Sequence, residues 1–338
     1  MKFIKTNAQM ELSQAPTKLE VLREINKRKG LEQDKKLKDE YERLEKGFEG
    51  EQDLVKYLKK YGDRNWTILR NVWLDYFGEF EIDVLLITSS GLYTFEVKNY
   101  TGKLELINSR CLMNGHSIGH NPFSQAQKIP VQLKEIFKQQ SNKSEIQGVL
   151  TFIGENNSLH IQDSIAGINV LCRNELRHYI WQIAQEERNY LGYPVDVDTI
   201  LSVLSSYEIG KPSKEKEIPQ KIKEDVQKGV CCCHCGNFDV EIHKSYVICS
   251  CGMCEPKKRA ILRTICEYGI LNQEKNLTTA ELTLFFDGFI TRKTVNRYLN
   301  KFFDQIGTNK NTAFLNKKRG IKEIDEFDLK EKMFFKLN

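Results

Sequence analysis

Asp83 stands thirteen positions before Glu96-Val97-Lys98, and both ends of that interval lie in short apolar runs with the pattern of β-strands. In residues 92–98 successive side chains alternate faces, so Glu96 and Lys98 share one side while Phe95 and Val97 share the other. Residues 81–88 are almost continuously apolar around Asp83, as expected of a central strand, and Ser89-Ser90-Gly91 supplies a tight turn. The two runs are predicted to pair as a hairpin, which brings Asp83 beside Glu96 and Lys98. Two carboxylates at that spacing repel unless a cation lies between them. Mg²⁺ or Mn²⁺ suits the place, because a hard ion takes one or two carboxylates, keeps several waters and accepts further oxygens from phosphate. With Lys98 alongside, that set of groups is suited to phosphodiester hydrolysis. Glu-x-Lys by itself more often marks a surface ion pair, so the reading depends on the flanking segments.

Upstream, Gly47-Phe48-Glu49-Gly50-Glu51 opens an amphipathic helix whose apolar stripe is Leu54, Val55 and Leu58. Glu51 lies at the edge of that stripe, facing either the sheet or solvent. Downstream, Asn121-Pro122-Phe123-Ser124-Gln125 starts a second helix, in which Gln125 is a site residue or a capping amide. A strand over residues 147–153 follows. The sequence order is then helix, three strands, helix, strand. With these residues in these places it resembles the core of the restriction-endonuclease-like PD-(D/E)xK nucleases, and more narrowly the nuclease-related domain (NERD) family. The resemblance rests on Gly47-x-x-Gly50-Glu51, Glu81-Ile82-Asp83, Phe95-Glu96-Val97-Lys98-Asn99-Tyr100-x-Gly102 and Asn121-Pro122-x-x-Gln125. It implies an α/β fold with an αβββαβ core. It also implies Asp83 and Glu96 as ligands of Mg²⁺ or Mn²⁺, and Lys98 as catalytic base or charge stabiliser. Glu51 would touch the metal or its water, and Gln125 would support the site. Ile82 stands where the superfamily's name has proline; the carboxylate itself is kept.

Seven of the ten cysteines fall between Cys231 and Cys254. Cys232-x-x-Cys235 and Cys251-x-x-Cys254, with fifteen residues between the pairs, have zinc-ribbon spacing, in which two turns each give two thiolates to a structural Zn²⁺. Gly236 and Gly252 suit such turns, and residues 238–242 and 245–248 alternate as a small hairpin. Cys231, Cys233, Cys249 and His234 are near enough to substitute, and Cys249 with Cys251 would form a tighter second turn. The separate Cys111, Cys172 and Cys266 read as packing residues.

Beyond the ribbon, residues 257–269 read as a helix. A second begins at Thr278 or Thr279, and a third follows Asp287-Gly288 from Thr291. The last pair resembles a helix-turn-helix, with Arg292, Lys293, Asn296 and Arg297 on its early turns, and a wing strand at residues 311–315 followed by Lys317-Lys318-Arg319. Eight Lys/Arg against one acid between Arg292 and Arg319 suit a polyanion better than the net charge of +5 does.

At 338 residues the chain divides into a charged helical segment (1–45), the nuclease-like domain (46–207), a charged linker (208–229), the zinc ribbon (230–256) and a basic helical domain (257–338). The first segment, with sparse apolar positions such as Leu22 and Ile25, packs on the nuclease-like domain or mediates self-association into a homo-oligomer. No stretch reaches the roughly 20 apolar residues of a membrane span and no signal peptide opens the sequence, so a cytoplasmic protein is expected. The expected function is metal-dependent cleavage of nucleic acid, DNA foremost. The rivals are a non-catalytic nucleic-acid-binding or regulatory protein that uses the fold as scaffold, and a module whose basic face meets an acidic protein.

Overall fold

The computed structural model describes residues 17–108, 110–119, 121–139, 145–163, 165–209, 217–308 and 312–316. These fall into two compact units, residues 43–209 and residues 17–42 with 217–316. Two helices open the chain, α1 (Thr17–Lys29) and α2 (Lys35–Tyr61). The first unit continues with β1 (Thr67–Asp75), β2 (Glu79–Ile87), β3 (Leu92–Lys98), β4 (Gly102–Ile107), β5 (Arg110–Met113), β6 (His116–Ser117) and α3 (Pro122–Gln139). It closes with β7 (Ile146–Phe152), β8 (Asn157–Ile161), β9 (Ile168–Cys172), α4 (Arg173–Arg188) and α5 (Val197–Tyr207). The second unit adds α6 (Gln220–Glu224), β10 (Val240–Ile242), β11 (Tyr246–Cys249), β12 (Cys254–Pro256), α7 (Lys257–Leu271), α8 (Thr279–Phe285), α9 (Arg292–Phe302), β13 (Gln305–Ile306) and β14 (Ala313–Phe314). Among the described residues no helix is long and apolar enough to cross a membrane.

The first unit is built on a five-stranded sheet of order β1-β2-β3-β7-β9. The first three strands are antiparallel neighbours; β7 lies parallel to β3, and β9 parallel to β7. A central strand covered on both faces must be apolar throughout, and β3 is buried from Leu92 to Val97. One face carries Val84, Leu86, Tyr93, Phe95 and Val97, packed with Leu54, Val55 and Leu58 of α2 and Leu176, Ile180 and Ile183 of α4. The other carries Leu85, Ile87 and Leu92 under Ile129, Leu133 and Ile136 of α3 and Ile200, Val203 and Leu204 of α5. In the first unit α2, β1, β2 and β3 come first along the chain, and α3 and β7 follow. Between β3 and α3, however, the chain inserts β4, β5 and β6, which form a second sheet of order β6-β5-β4-β8. Its β5–β6 hairpin turns at Asn114-Gly115, both at positive φ (50° and 81°), the conformation for which that residue pair is favoured.

Two glycines set how closely the site's supports approach. At Gly50, one residue before Glu51, a Cβ would lie 2.9 Å from Asn99 Cβ and 3.1 Å from Ile153 Cγ2, so this glycine of the helix motif has a packing reason, whereas a Cβ at Gly47 would meet open space. At Gly154 a Cβ would fall 1.9 Å from the carbonyl oxygen of Tyr100, a backbone atom that cannot swing aside. Gly154→Ala is therefore expected to destabilise the first unit by about 1–3 kcal/mol or more, read as a lower denaturant midpoint. An unchanged midpoint would contradict this packing.

In the second unit α7 is buried on nearly every side, and it carries charge into that interior. Glu267 has no exposed surface, yet three cations reach it: Arg263 at 2.6 Å, Lys27 at 2.5 Å and Arg28 at 2.5 Å. Arg263 also grips Glu255 (2.8 and 3.1 Å) and the carbonyl of Cys231 (2.7 Å), and Arg28 donates to the carbonyls of Gln227 and Gly229. Residues 17–42 of the N-terminal charged segment thus belong to this unit, with Leu19, Leu22 and Ile25 of α1 fully buried.

Burial alone would raise Glu267, but Arg263, Lys27 and Arg28 outweigh it and hold the carboxyl down at about 2. Neighbouring Glu24 is pushed the other way, to about 7, by burial and by the charge of Glu267. The signs are opposite. The lowered Glu267 contributes stability above its ordinary 4.5, and that contribution disappears as pH falls towards 2. The raised Glu24 costs stability as pH climbs from 4.5 through 7. Glu267→Gln should therefore destabilise at pH 7 by about 3–5 kcal/mol, because buried Arg263 and Arg28 and half-buried Lys27 lose the anion they share. Glu24→Gln should stabilise at pH 8. Thermal unfolding of both variants from pH 3 to 8 checks the pair, and equal shifts for the two would sink it.

Candidate active site and metal centre

The site begins with register. β2 and β3 pair through Ile87↔Leu92 to Val84↔Phe95, and the next step along the ladder sets Asp83 opposite Glu96. There the backbone ladder gives way to a side chain: Asp83 Oδ2 accepts from the backbone N–H of Val97 at 2.8 Å. Since Val84, Phe95 and Val97 point into the core under α2 and α4, the alternate positions Asp83, Glu96 and Lys98 share the opposite face. On that face Lys98 Nζ lies 2.5 Å from Glu96 Oε1 and donates to Gln125 Oε1 of α3 at 3.5 Å. Asn121 caps that helix, accepting from the N–H groups of Phe123 and Ser124, so Gln125 acts here on Lys98 and not as the cap.

Glu51 comes from α2. It accepts from Arg70 at 3.0 Å and from Asn71 Nδ2 at 3.1 Å, both on β1. Neither partner is among the residues singled out in the sequence. The Arg70↔Val84 and Val72↔Ile82 pairs set Asn71 opposite Asp83, and at Asn71 the strand adopts φ 49°. Asparagine tolerates that left-handed conformation better than most residues. The turn breaks the regular ladder beside the carboxylates, and the Asn71 amide reaches Glu51. The available signal is Asn71 itself, a residue type disfavoured in the middle of a β-rich run.

The electrostatics reflect crowding of acids out of water. Burial, then the nearby charge of Asp83, raises Glu96 to about 8 despite Lys98. The same two causes raise Glu51 to about 7 despite Arg70 and Asn71. Burial also raises Asp83, against the pull of Lys98 and the Val97 amide. For Lys98, burial would favour the neutral amine, but Glu96 and Asp83 prevail and hold the ammonium. Both carboxylate oxygens of Glu96 are shielded from solvent; Oε1 meets Lys98 Nζ, and Oε2 has no hydrogen-bond partner among the described residues. Buried acceptors left in that condition are costly. A hard cation would satisfy them and relieve the repulsion with Asp83, so the residues present fit a divalent ion.

The second centre is made of sulfur. The thiols of Cys232, Cys235, Cys249 and Cys251 all lie within 4.8 Å of one another. Cys232 to Cys251 is 3.7 Å and Cys235 to Cys249 is 3.5 Å. Tetrahedral thiolates at a Zn–S distance of about 2.3 Å stand about 3.8 Å apart, so the four can hold a metal ion of that size. Of the alternatives that the spacing leaves open, the cluster holds Cys249 in place of Cys254. Cys254 is not in the cluster, because the chain has already entered β12 there and pairs with Ile248. Cys249 takes its place at the end of β11, in a turn closed by Gly252 N–H to Cys249 O at 2.9 Å. Gly236 (φ 75°) and Gly252 (φ 88°) occupy left-handed positions in the two turns, as anticipated. The His234 N–H donates to Cys232 Sγ at 3.4 Å. Cys111 and Cys266 are buried as expected, whereas Cys172 is only half-buried and precedes α4 as its N-cap.

Among the basic candidates, Arg292, Lys293, Asn296 and Arg297 are exposed on α9, which Thr291 caps. Asn296 is engaged within the unit, its Oδ1 accepting from Thr279 at 3.3 Å and from Asn300 at 3.2 Å. β13 and β14 pair as a short hairpin after α9, β14 falling within the stretch expected as a wing. Lys317, Lys318 and Arg319 lie outside the described residues.

With the geometry set out, comparison with known proteins gives one family. Residues 46–153 match the family model described as NERD, the nuclease-related domain. That span begins within α2 and ends one residue beyond β7, and it holds Glu51, Asp83, Glu96, Lys98 and Gln125. Searches of curated proteins and of solved structures return no match.

Proposed function

We propose that the first unit is a cation-dependent nuclease hydrolysing phosphodiester bonds in nucleic acid, with DNA as its principal substrate. The observation that carries this reading is the convergence of Asp83, Glu96 and Lys98 on one face of one sheet, with Glu96 buried and short of donors. Mg²⁺ or Mn²⁺ held by Asp83 and Glu96 would supply positive charge where a phosphodiester gains negative charge on the way to cleavage. Lys98 adds a fixed ammonium, steadied by Gln125, that offsets charge on the phosphoryl oxygens and orients water for attack. Glu51, held by Arg70 and Asn71, keeps a third carboxylate beside Asp83 to accept a hydrogen bond from that water. The four-cysteine centre of the second unit takes a structural Zn²⁺. α8, α9 and the β13–β14 hairpin act as a helix-turn-helix with a wing, whose Arg292, Lys293 and Arg297 contact phosphates.

The test is incubation of purified protein with supercoiled DNA, linear DNA and RNA, with and without Mg²⁺ or Mn²⁺, beside Asp83→Ala. Cation-dependent product from the wild type alone is expected. The same residual cleavage in both proteins would point to contamination and remove the support. Tight binding with no cleavage under any cation would favour a scaffold that binds nucleic acid without cutting it.

A further inference from the structure

In the second unit, five side chains line an open pocket of about 300 Å³: Lys258 from the first turn of α7, and Arg297, Tyr298, Lys301 and Phe302 from α9. The four α9 residues follow an i, i+1, i+4, i+5 spacing, which places them on one stripe of the helix. Tyr298 and Phe302, half-buried, border the buried Val295 and Leu299 that seat α9 in the unit, while Arg297 and Lys301 are exposed. No carboxylate is among the described residues that line the pocket. Its wall pairs ring surface with positive charge throughout. Arg297 lies 5.7 Å from the centre of the Tyr298 ring, while Lys258 and Lys301 lie 5.4 and 5.2 Å from that of Phe302. The Tyr298 phenol is raised by burial and pulled back by Arg297, Lys258 and Lys301, so all three cations bear on the same small volume.

Three cations lining one pocket with two aromatic rings form a site for a ligand that is both anionic and flat. A duplex offers phosphates, but its bases are stacked on one another and present no open face. An unpaired nucleotide offers both, and aromatic platforms in a basic setting bind single strands without regard to sequence. We propose that this pocket binds an unpaired nucleotide, its base stacked on Tyr298 and its phosphate met by Lys258, Arg297 and Lys301. The inference rests on the nucleic-acid reading above and narrows it: the second unit directs the protein to single-stranded segments or overhangs.

The test uses the full chain without added Mg²⁺ and without chelator, so that strand scission does not enter the measurement. Binding is read by fluorescence anisotropy on a single-stranded oligonucleotide, a duplex with an overhang and a blunt duplex. The wild type should prefer the first two. Tyr298→Ala should weaken them about five- to hundredfold and leave the blunt duplex unchanged, and Tyr298→Phe should keep the preference. A photoreactive iodouridine oligonucleotide should cross-link wild-type protein within residues 297–302, a readout that needs no variant to fold. Equal losses on all three substrates, cross-links elsewhere, or equal competition by inorganic polyphosphate would each overturn the proposal. Cation-dependent cleavage without single-strand preference would sink only this inference. Single-strand binding without cleavage would sink only the nuclease reading.

Discussion

Lys98→Met should lower cation-dependent cleavage by about two to three orders of magnitude, the usual cost of removing one group that stabilises transition-state charge. The fold should survive, because methionine fills nearly the same volume and the lysine already has part of its stem packed against the sheet. What distinguishes this residue from the acids is its expected behaviour towards the ion. Asp83 and Glu96 remain in the variant, so Mg²⁺ should still raise its melting temperature. Asp83→Asn should lose both properties. Its amide oxygen can go on accepting from Val97 N–H, which preserves the strand, but half of the anionic pair is gone. A ligand at a hundred times its dissociation constant stabilises by about 2.7 kcal/mol, so the difference between the two variants lies well within reach of thermal unfolding. If Lys98→Met cleaves as fast as the wild type, or if Asp83→Asn is stabilised by Mg²⁺ as fully as Lys98→Met, the roles assigned here are wrong.

Cys249→Ser should abolish metal binding by the second unit, and Cys254→Ser should leave about one zinc per chain. The two residues are five apart, and spacing alone favours Cys254, which lies outside the thiol cluster. Structural zinc contributes about 10–16 kcal/mol to the folding of small domains. The hairpin around β10, β11 and β12 has few buried apolar side chains of its own, chiefly Val247 and Cys249, so most of its stability must come from the ion. Metal analysis of the two variants, with melting curves before and after a chelator, separates the possibilities. Loss of zinc from Cys254→Ser with retention in Cys249→Ser would reverse the ligand assignment.

Much of the first unit is legible in the sequence, because its decisive features are local. The alternation in residues 92–98 and the turn at residues 89–91 are enough to place Asp83 by Glu96, and the observed register agrees. Of the two threonines that could start α8, Thr278 is the cap, and the helix expected from Thr291 is capped by that residue. The features that escaped are of two kinds. Asn71 and Arg70 matter through a backbone conformation and a contact with another element, neither of which has a sequence period. The same holds for the ion cluster around Glu267, where Arg28 is 239 positions away. Charged residues at an α1 helix rich in charge read as solvated, and only the fold shows that α7 draws them inside. At the cysteines the regular C-x-x-C template misled because strand pairing, rather than spacing, decides where the second turn sits. The insertion of β4 to β6 carried a hairpin signal in Asn114-Gly115, but its short, mixed strands have little pattern beyond that turn.

Because α1 completes the interior of the second unit, that unit is assembled from the two ends of the described chain, and residues 43–209 are threaded between its halves. During synthesis the early helix must wait, its arginine and lysine hydrated, until α7 emerges more than two hundred residues later, while the intervening unit has every contact it needs to fold beforehand. A fragment cut to begin at the cysteine-rich region would leave Glu267 with Arg263 and without Lys27 and Arg28, two of its three cations. Deleting residues 17–29 should accordingly disable the far end of the protein and spare the middle, an inversion of what their position in the chain suggests.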